Sequence, residues 1–100
     1  MTITENKNGT SLELIVSGRL DTTNAPELEV KLKQVANQTQ NLYLNLQNIE
    51  YISSAGLRSV LLAHKLMLPT GGKMIIKSPS SFCRQVLEAT GMDGILTIEG

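Results

Sequence analysis

The chain has 100 residues, 41% of them hydrophobic, which is the size and apolar content of one domain that buries about two-thirds of its unfolded surface. Nine basic residues balance nine acidic ones, which argues against a long-range electrostatic hold on nucleic acid or an anionic membrane surface but not against a local charged docking patch. A lone cysteine, Cys83, excludes an intramolecular disulfide and a cysteine-cluster metal site.

The amino terminus has no basic stretch followed by an apolar one, and no apolar run approaches the about 18 residues needed to span a bilayer. A cytoplasmic protein is expected. Tyr43, Tyr51 and Phe82 are the only aromatic residues, a poor supply of stacking platforms for single-stranded nucleic acid.

The first element reads as a hairpin, with Asn8-Gly9 suited to a two-residue type I′ turn because both positions there need positive φ. Leu12, Leu14 and Val16 alternate with Ser11, Glu13 and Ile15, the period of a half-buried strand. Asn24 stands where a helix N-cap belongs, Glu27 three residues on completes a capping box, and Pro26 falls in the tolerant first turn. The helix that follows carries Ala25, Leu28, Leu32, Val35 and Ala36 on one stripe.

Leu42, Leu44 and Leu46 alternate with Tyr43 and Asn45 as a further strand. A connecting stretch from Gln47 to Ser53 leads to a helix over Ser54 to Leu68, which Pro69 and Gly71-Gly72 end. Lys73 to Lys77 is a short apolar strand, and Ser78-Pro79-Ser80 opens a third helix. Its inner stripe is Phe82, Val86, Leu87 and Thr90, with Gly91 as the residue past its end. Ile95 to Ile98 is the last strand.

The order β-β-α-β-α-β-α-β, over one domain spanning 1–100, predicts an α/β fold: a mixed sheet with an N-terminal antiparallel hairpin and three crossover helices. If the later strands are parallel, the segments after their carboxyl ends share one rim, where ligands and partners bind. Asp21, Ser54 and Ser80 are then neighbours on that rim.

Ser53-Ser54-Ala55-Gly56-Leu57-Arg58 is the segment with chemical interest. A serine at a helix start is first of all a cap. Ala55 and Gly56, being small, predict an uncovered backbone open to another protein. A phosphate on Ser54 would meet free N–H groups and the positive end of the helix dipole. Catalysis has less support. There is no Gly-x-Ser-x-Gly elbow and no phosphate-binding loop, and His64 lies about 15 Å down the same helix from Ser54 at 1.5 Å per residue. No enzyme activity and no cofactor are expected. His64, Met67, Met74, Cys83 and Met92 read as packing, and Arg58 and Lys65 as surface.

Three segments together carry a family resemblance: Gly18-Arg-Leu-Asp-Thr-Thr-Asn-Ala-Pro26, Leu44-Asn-Leu-Gln-Asn-Ile-Glu-Tyr-Ile-Ser-Ser-Ala-Gly-Leu-Arg58 and Gly71-Gly-Lys-Met-Ile-Ile76. In order and spacing they resemble the STAS domain family, and within it the free-standing bacterial anti-sigma factor antagonists. The resemblance implies partner switching. The unphosphorylated antagonist binds a serine kinase that is also the anti-sigma factor and so frees the sigma factor. Phosphorylation of one serine releases the antagonist, and a PP2C-type phosphatase restores it. Such a switch protein is expected to be a monomer when free, with no direct contact to nucleic acid or membrane.

The family's usual motif is Asp-Ser-Ser/Thr-Gly-Leu, with the serine after the aspartate as phosphoacceptor. Aligned on Gly56, that serine is Ser54. The aspartate is replaced by Ser53 and the second hydroxyl residue by Ala55, and Ser53 is the alternative acceptor. The resemblance also puts Asp21 beside the acceptor on the kinase-facing surface, with Thr22, Thr23, Ser53, Ala55, Gly56 and Arg58 as further contacts. A second reading stays open: a constitutive STAS scaffold subunit of a stress-sensing assembly or an ATPase transport complex.

Overall fold

The computed structural model describes residues 1–100 and contains six strands, three α-helices and three short 3-10 turns. The strands are β1 (Thr2–Asn8), β2 (Ser11–Leu20), β3 (Asn41–Asn45), β4 (Ile49–Ile52), β5 (Lys73–Lys77) and β6 (Thr97–Glu99). The helices are α1 (Ala25–Val35), α2 (Ser54–Met67) and α3 (Ser81–Ala89).

The sheet runs β1-β2-β3-β5-β6, with β1 antiparallel to β2 and every later pair parallel. This is the expected mixed sheet with its hairpin and crossover helices. The hairpin turn differs from the expectation. Asn8 pairs with Ser11 as the last residue of β1, and only Gly9 has positive φ, so a type I′ turn centred on Asn8-Gly9 does not form.

The sequence pattern gave no sign of β4, which lies inside the supposed connecting stretch. Strand β2 is long enough to be shared: Ser11 to Ile15 pair with β3, and Gly18 to Leu20 pair with β4. Between Gly18 and Arg19 the register slips, so that Gly18 faces Ile49 while Arg19 faces Tyr51 and Glu50 has no partner. A bulge of this kind breaks strict alternation, which is why Ile49-Glu50-Tyr51-Ile52 does not read as a strand. Gly18, with φ of 98°, supplies the backbone conformation that the slip requires.

One face of the sheet presents Leu12, Leu14, Val16, Leu42, Leu44, Met74 and Ile76 to the core. Helix α1 lays Leu28, Leu32 and Val35 into it, and α2 adds Val60, Ala63 and Met67. The α1 stripe is the one expected from helical spacing. Helix α3 differs. Its buried residues are Cys83 and Leu87, Val86 is half-buried, and Phe82 and Thr90 are exposed. The last strand is also shorter than expected, because a 3-10 turn over Met92–Gly94 precedes it and Ile95 faces solvent.

Candidate functional site

Strands β2 and β4 are parallel and end together at Leu20 and Ile52, while Lys77 at the end of β5 lies level with Asn45 and Ile15, five residues short of Leu20 on the same side of the sheet. The segments that follow carry Asp21, Ser54 and Ser80. The tie between the first two is direct. The Ser53 amide donates to the Leu20 carbonyl at 3.0 Å, extending the β2–β4 ladder by one bond. Asp21 and Ser54 are the next residues on either side of that bond.

Asp21 organises the turn that enters α1. Its Oδ1 accepts from the Thr23 and Asn24 amides at 3.1 and 3.2 Å. Asn24, the expected cap, has helical φ and ψ of −97° and −22° and makes no side-chain cap. Its Nδ2 instead donates to the Arg19 carbonyl at 2.7 Å. The capping role therefore passes to Asp21, because an N-cap side chain needs extended backbone to fold over the helix end. Thr22 and Thr23 are exposed beside it.

The two serines at the start of α2 have different environments. Ser53 is extended, half-buried, and its Oγ accepts from the Gly56 amide at 3.3 Å, so it is the helix N-cap. Ser54 is the first helical residue, is exposed, and its hydroxyl makes no hydrogen bond within the chain. It stands among first-turn N–H groups at the positive end of the helix dipole. Arg58, one turn on, is exposed on the same side of α2.

Gly56 departs from the expectation of an open backbone. It is buried, and a Cβ there would lie 2.4 Å from the Leu20 carbonyl oxygen and 3.0 Å from Ile52 Cγ1. The missing side chain lets α2 close onto β2 within the chain. Ala55 is half-buried, and its carbonyl accepts from Ser59 Oγ at 3.3 Å.

Sequence reasoning missed two features near this rim. Ser59 is fully buried and donates to Glu29 Oε2 at 2.8 Å, joining α2 to α1. Arg19, Tyr51 and Phe82 form a stack: the guanidinium lies 4.3 Å from the Tyr51 ring centre, and the two aromatic rings are 5.5 Å apart. Only the shifted β2–β4 register, which brings Arg19 opposite Tyr51, could have pointed to it.

None of the four surface depressions is lined by Asp21, Ser53 or Ser54; Arg58 lines one with Glu29 and Lys65, and the largest, near 600 Å³, lies among Gly9, Thr10, Thr39 and Gln40 at the amino ends of β2 and β3. No group of three or more metal-ligating side chains exists. His64 is half-buried on α2 beside Met67 and Lys73, remote from the helix start. Cys83 is fully buried, and desolvation raises its thiol above the ordinary value of 9.0, with the Ser80 side chain acting in the opposite sense.

Fold and site together define an α/β module with a mixed sheet and a rim built around a serine at a helix tip. The chain belongs to the STAS family, whose STAS domain model matches residues 2–100. It is 32% identical, over 98% of its length and 85% of the relative's, to BtrV of Bordetella bronchiseptica, a protein named as an anti-sigma factor antagonist. It is 26% identical to the anti-sigma-B factor antagonist of Bacillus subtilis, over 92% of this chain and 84% of that one. The fold matches the anti-sigma factor antagonist SpoIIAA with a TM-score of 0.83 at 18% identity, covering 99% of this chain and 88% of the other. SpoIIAA has also been solved in a phosphorylated form, which this chain matches with a TM-score of 0.77 at the same 18% identity, over 99% of this chain and 91% of that one.

Proposed function

We propose that this chain is an anti-sigma factor antagonist that works by partner switching, as one domain, by binding rather than catalysis. Its rim docks on a serine kinase that is also the anti-sigma factor, and phosphorylation of Ser54 by that kinase ends the complex. A PP2C-type phosphatase resets the switch. The names of the relatives support the antagonist reading. The observation that carries the switch is the contrast between the serines: the Ser54 hydroxyl is exposed and unengaged, while Ser53 Oγ is held by the Gly56 amide.

The physical logic has two halves. A phosphate adds about −1.5 to −2 charges at neutral pH. On Ser54 it would stand at a helix N-terminus, where N–H groups and the dipole favour an anion, so the free protein keeps its fold. Against a partner surface it would have to be desolvated, at a cost of several kcal/mol, or a few orders of magnitude in affinity.

The test is to incubate the purified chain with ATP and each serine-kinase anti-sigma factor of its own organism, and to map the phosphate by mass spectrometry. The expected result is a single modification at Ser54. Ser54→Ala keeps kinase binding and takes no label, and Ser54→Asp binds about a hundredfold more weakly. Labelling at Ser53, or none by a kinase active on another substrate, overturns the assignment. Stable co-purification with an ATPase or a large assembly would favour the scaffold reading instead.

A further inference from the structure

The stack of Arg19, Tyr51 and Phe82 has a composition and exposure that the core does not require. Strand β4 pairs only with β2, so its other side is a free edge, and α3 packs against it. Phe82 of α3 packs against Tyr51 of this strand. Such packing needs no cation, yet Arg19 lies over the Tyr51 ring with its side chain 58% exposed, and Phe82 remains 39% exposed. The nearest carboxylate, Asp21 Oδ2, is 3.7 Å from Nε, too far for a hydrogen bond, and neither terminal guanidinium nitrogen is hydrogen-bonded within the chain.

We infer that this stack is a second docking contact on the same rim, in which the Arg19 guanidinium takes a carboxylate side chain of the kinase and the Phe82 ring takes an apolar neighbour of that carboxylate. The inference rests on the kinase-binding reading of the rim. Three observations carry it. Arg19 and Leu20 immediately precede Asp21, and the Ser53–Leu20 bond joins this strand end to the helix that bears Ser54, so stack and switch are contiguous. A guanidinium held 4.3 Å over an aromatic ring has already lost part of its freedom, so less is lost when it forms a two-pronged bond to a carboxylate. An exposed arginine beside aromatic residues is also the composition enriched where interfaces hold most of their binding energy.

The proposed contact explains how the rim can grip a partner without a cavity. It also sets the direction of the charge: the kinase surface opposite Arg19 is acidic, and the pairing weakens with added salt.

The experiment measures affinity between the unphosphorylated chain and the serine kinase that labels it, by titration calorimetry, with melting curves of each variant as a control on folding. Arg19→Glu is expected to weaken binding about a hundredfold, and Arg19→Lys and Phe82→Ala about tenfold each. Arg19→Lys keeps the positive charge beside Asp21 and should melt within a few degrees of wild type, so it holds the test open if Phe82→Ala loosens α3 or Arg19→Glu disturbs the Asp21 turn. Wild-type affinity for Arg19→Glu, with Ser54→Asp still weakened, overturns the docking contact and leaves the switch intact. Wild-type affinity for Arg19→Lys overturns the stacked, two-pronged geometry. If Arg19→Glu binds weakly while Ser54→Asp binds as tightly as wild type, the contact is upheld and the phosphoserine switch is the part that fails. If no serine kinase binds the wild-type chain, both fall together.

Discussion

Gly56 lies so close to Leu20 that a Cβ on it would stand 2.4 Å from the Leu20 carbonyl oxygen. That oxygen already accepts the Ser53 amide. The start of α2 is therefore pressed against the end of β2 at backbone level, and the distance between the segments that carry Asp21 and Ser54 depends on a residue with no side chain.

Gly56→Ala is the first prediction. Alanine gains about 1 kcal/mol of helix propensity over glycine, but overpacking against backbone costs about 1–3 kcal/mol or more. The obstructing atom is a carbonyl oxygen that cannot rotate away, so the clash wins. Urea denaturation should show a net loss of about 1–2 kcal/mol. A stabilised variant would show that α2 does not seat on Leu20 in this way.

The two serines should separate on stability alone. Ser53→Ala removes the N-cap and should cost about 0.5–1 kcal/mol, the lower part of the capping range, because the bond is long at 3.3 Å. Ser54→Ala removes an exposed, unengaged hydroxyl and should change stability by less than about 0.5 kcal/mol. Thermal melts resolve this, since each kcal/mol moves the midpoint of a domain this size by about 4–8 °C. The reverse order would assign the cap to Ser54.

Asp21 and Asn24 offer a parallel contrast at the start of α1. Asp21→Ala removes two accepted N–H bonds and should cost about 1–2 kcal/mol. Asn24→Ala removes one exposed bond to the Arg19 carbonyl and should cost less than about 1 kcal/mol. Chemical denaturation of the two variants side by side is the check, and a larger loss for Asn24→Ala would restore it as the cap.

Cys83 gives the chain an alkaline sensitivity. Burial raises its thiol pKa in the folded state, so the folded chain holds the proton more firmly than the unfolded one. The stabilisation is complete below the ordinary thiol value of 9.0 and is lost as pH rises towards the folded value. Comparing the wild type with Cys83→Ala by denaturation at pH 7 and pH 10 should show the larger decline in the wild type. An equal decline would mean that the thiol titrates alike in both states. A disulfide-exchange reagent at neutral pH should label Cys83 only as fast as the chain unfolds.

Much of this molecule is legible without coordinates. The alternation of Leu12, Leu14 and Val16, and of Leu42, Leu44 and Leu46, and the stripe of α1, follow from one-sided burial, which imposes a period of two on strands and 3.6 on helices. That the carboxyl ends of β2 to β5 point to one side of the sheet follows from the same reading, since strands joined by helical crossovers run parallel. The placement of Ser54 and Asp21 at neighbouring strand ends was also visible, as positions in that order.

Tertiary structure decided the rest wherever the chain offered two equivalent local solutions. Asp21 and Asn24 are equally good caps on paper, and the helical φ and ψ of Asn24 chose between them. Ser53 and Ser54 are chemically identical, and only the extended backbone of Ser53 turned one inward as a cap and left the other free. Strand β4 was hidden because a bulge opposite Gly18 erased its alternation, and Phe82 was misplaced because the free edge of β4 drew it out of the core. Local pattern records which side of an element is buried. It holds no record of which distant segment does the burying, and the Arg19–Tyr51–Phe82 stack exists only at that level.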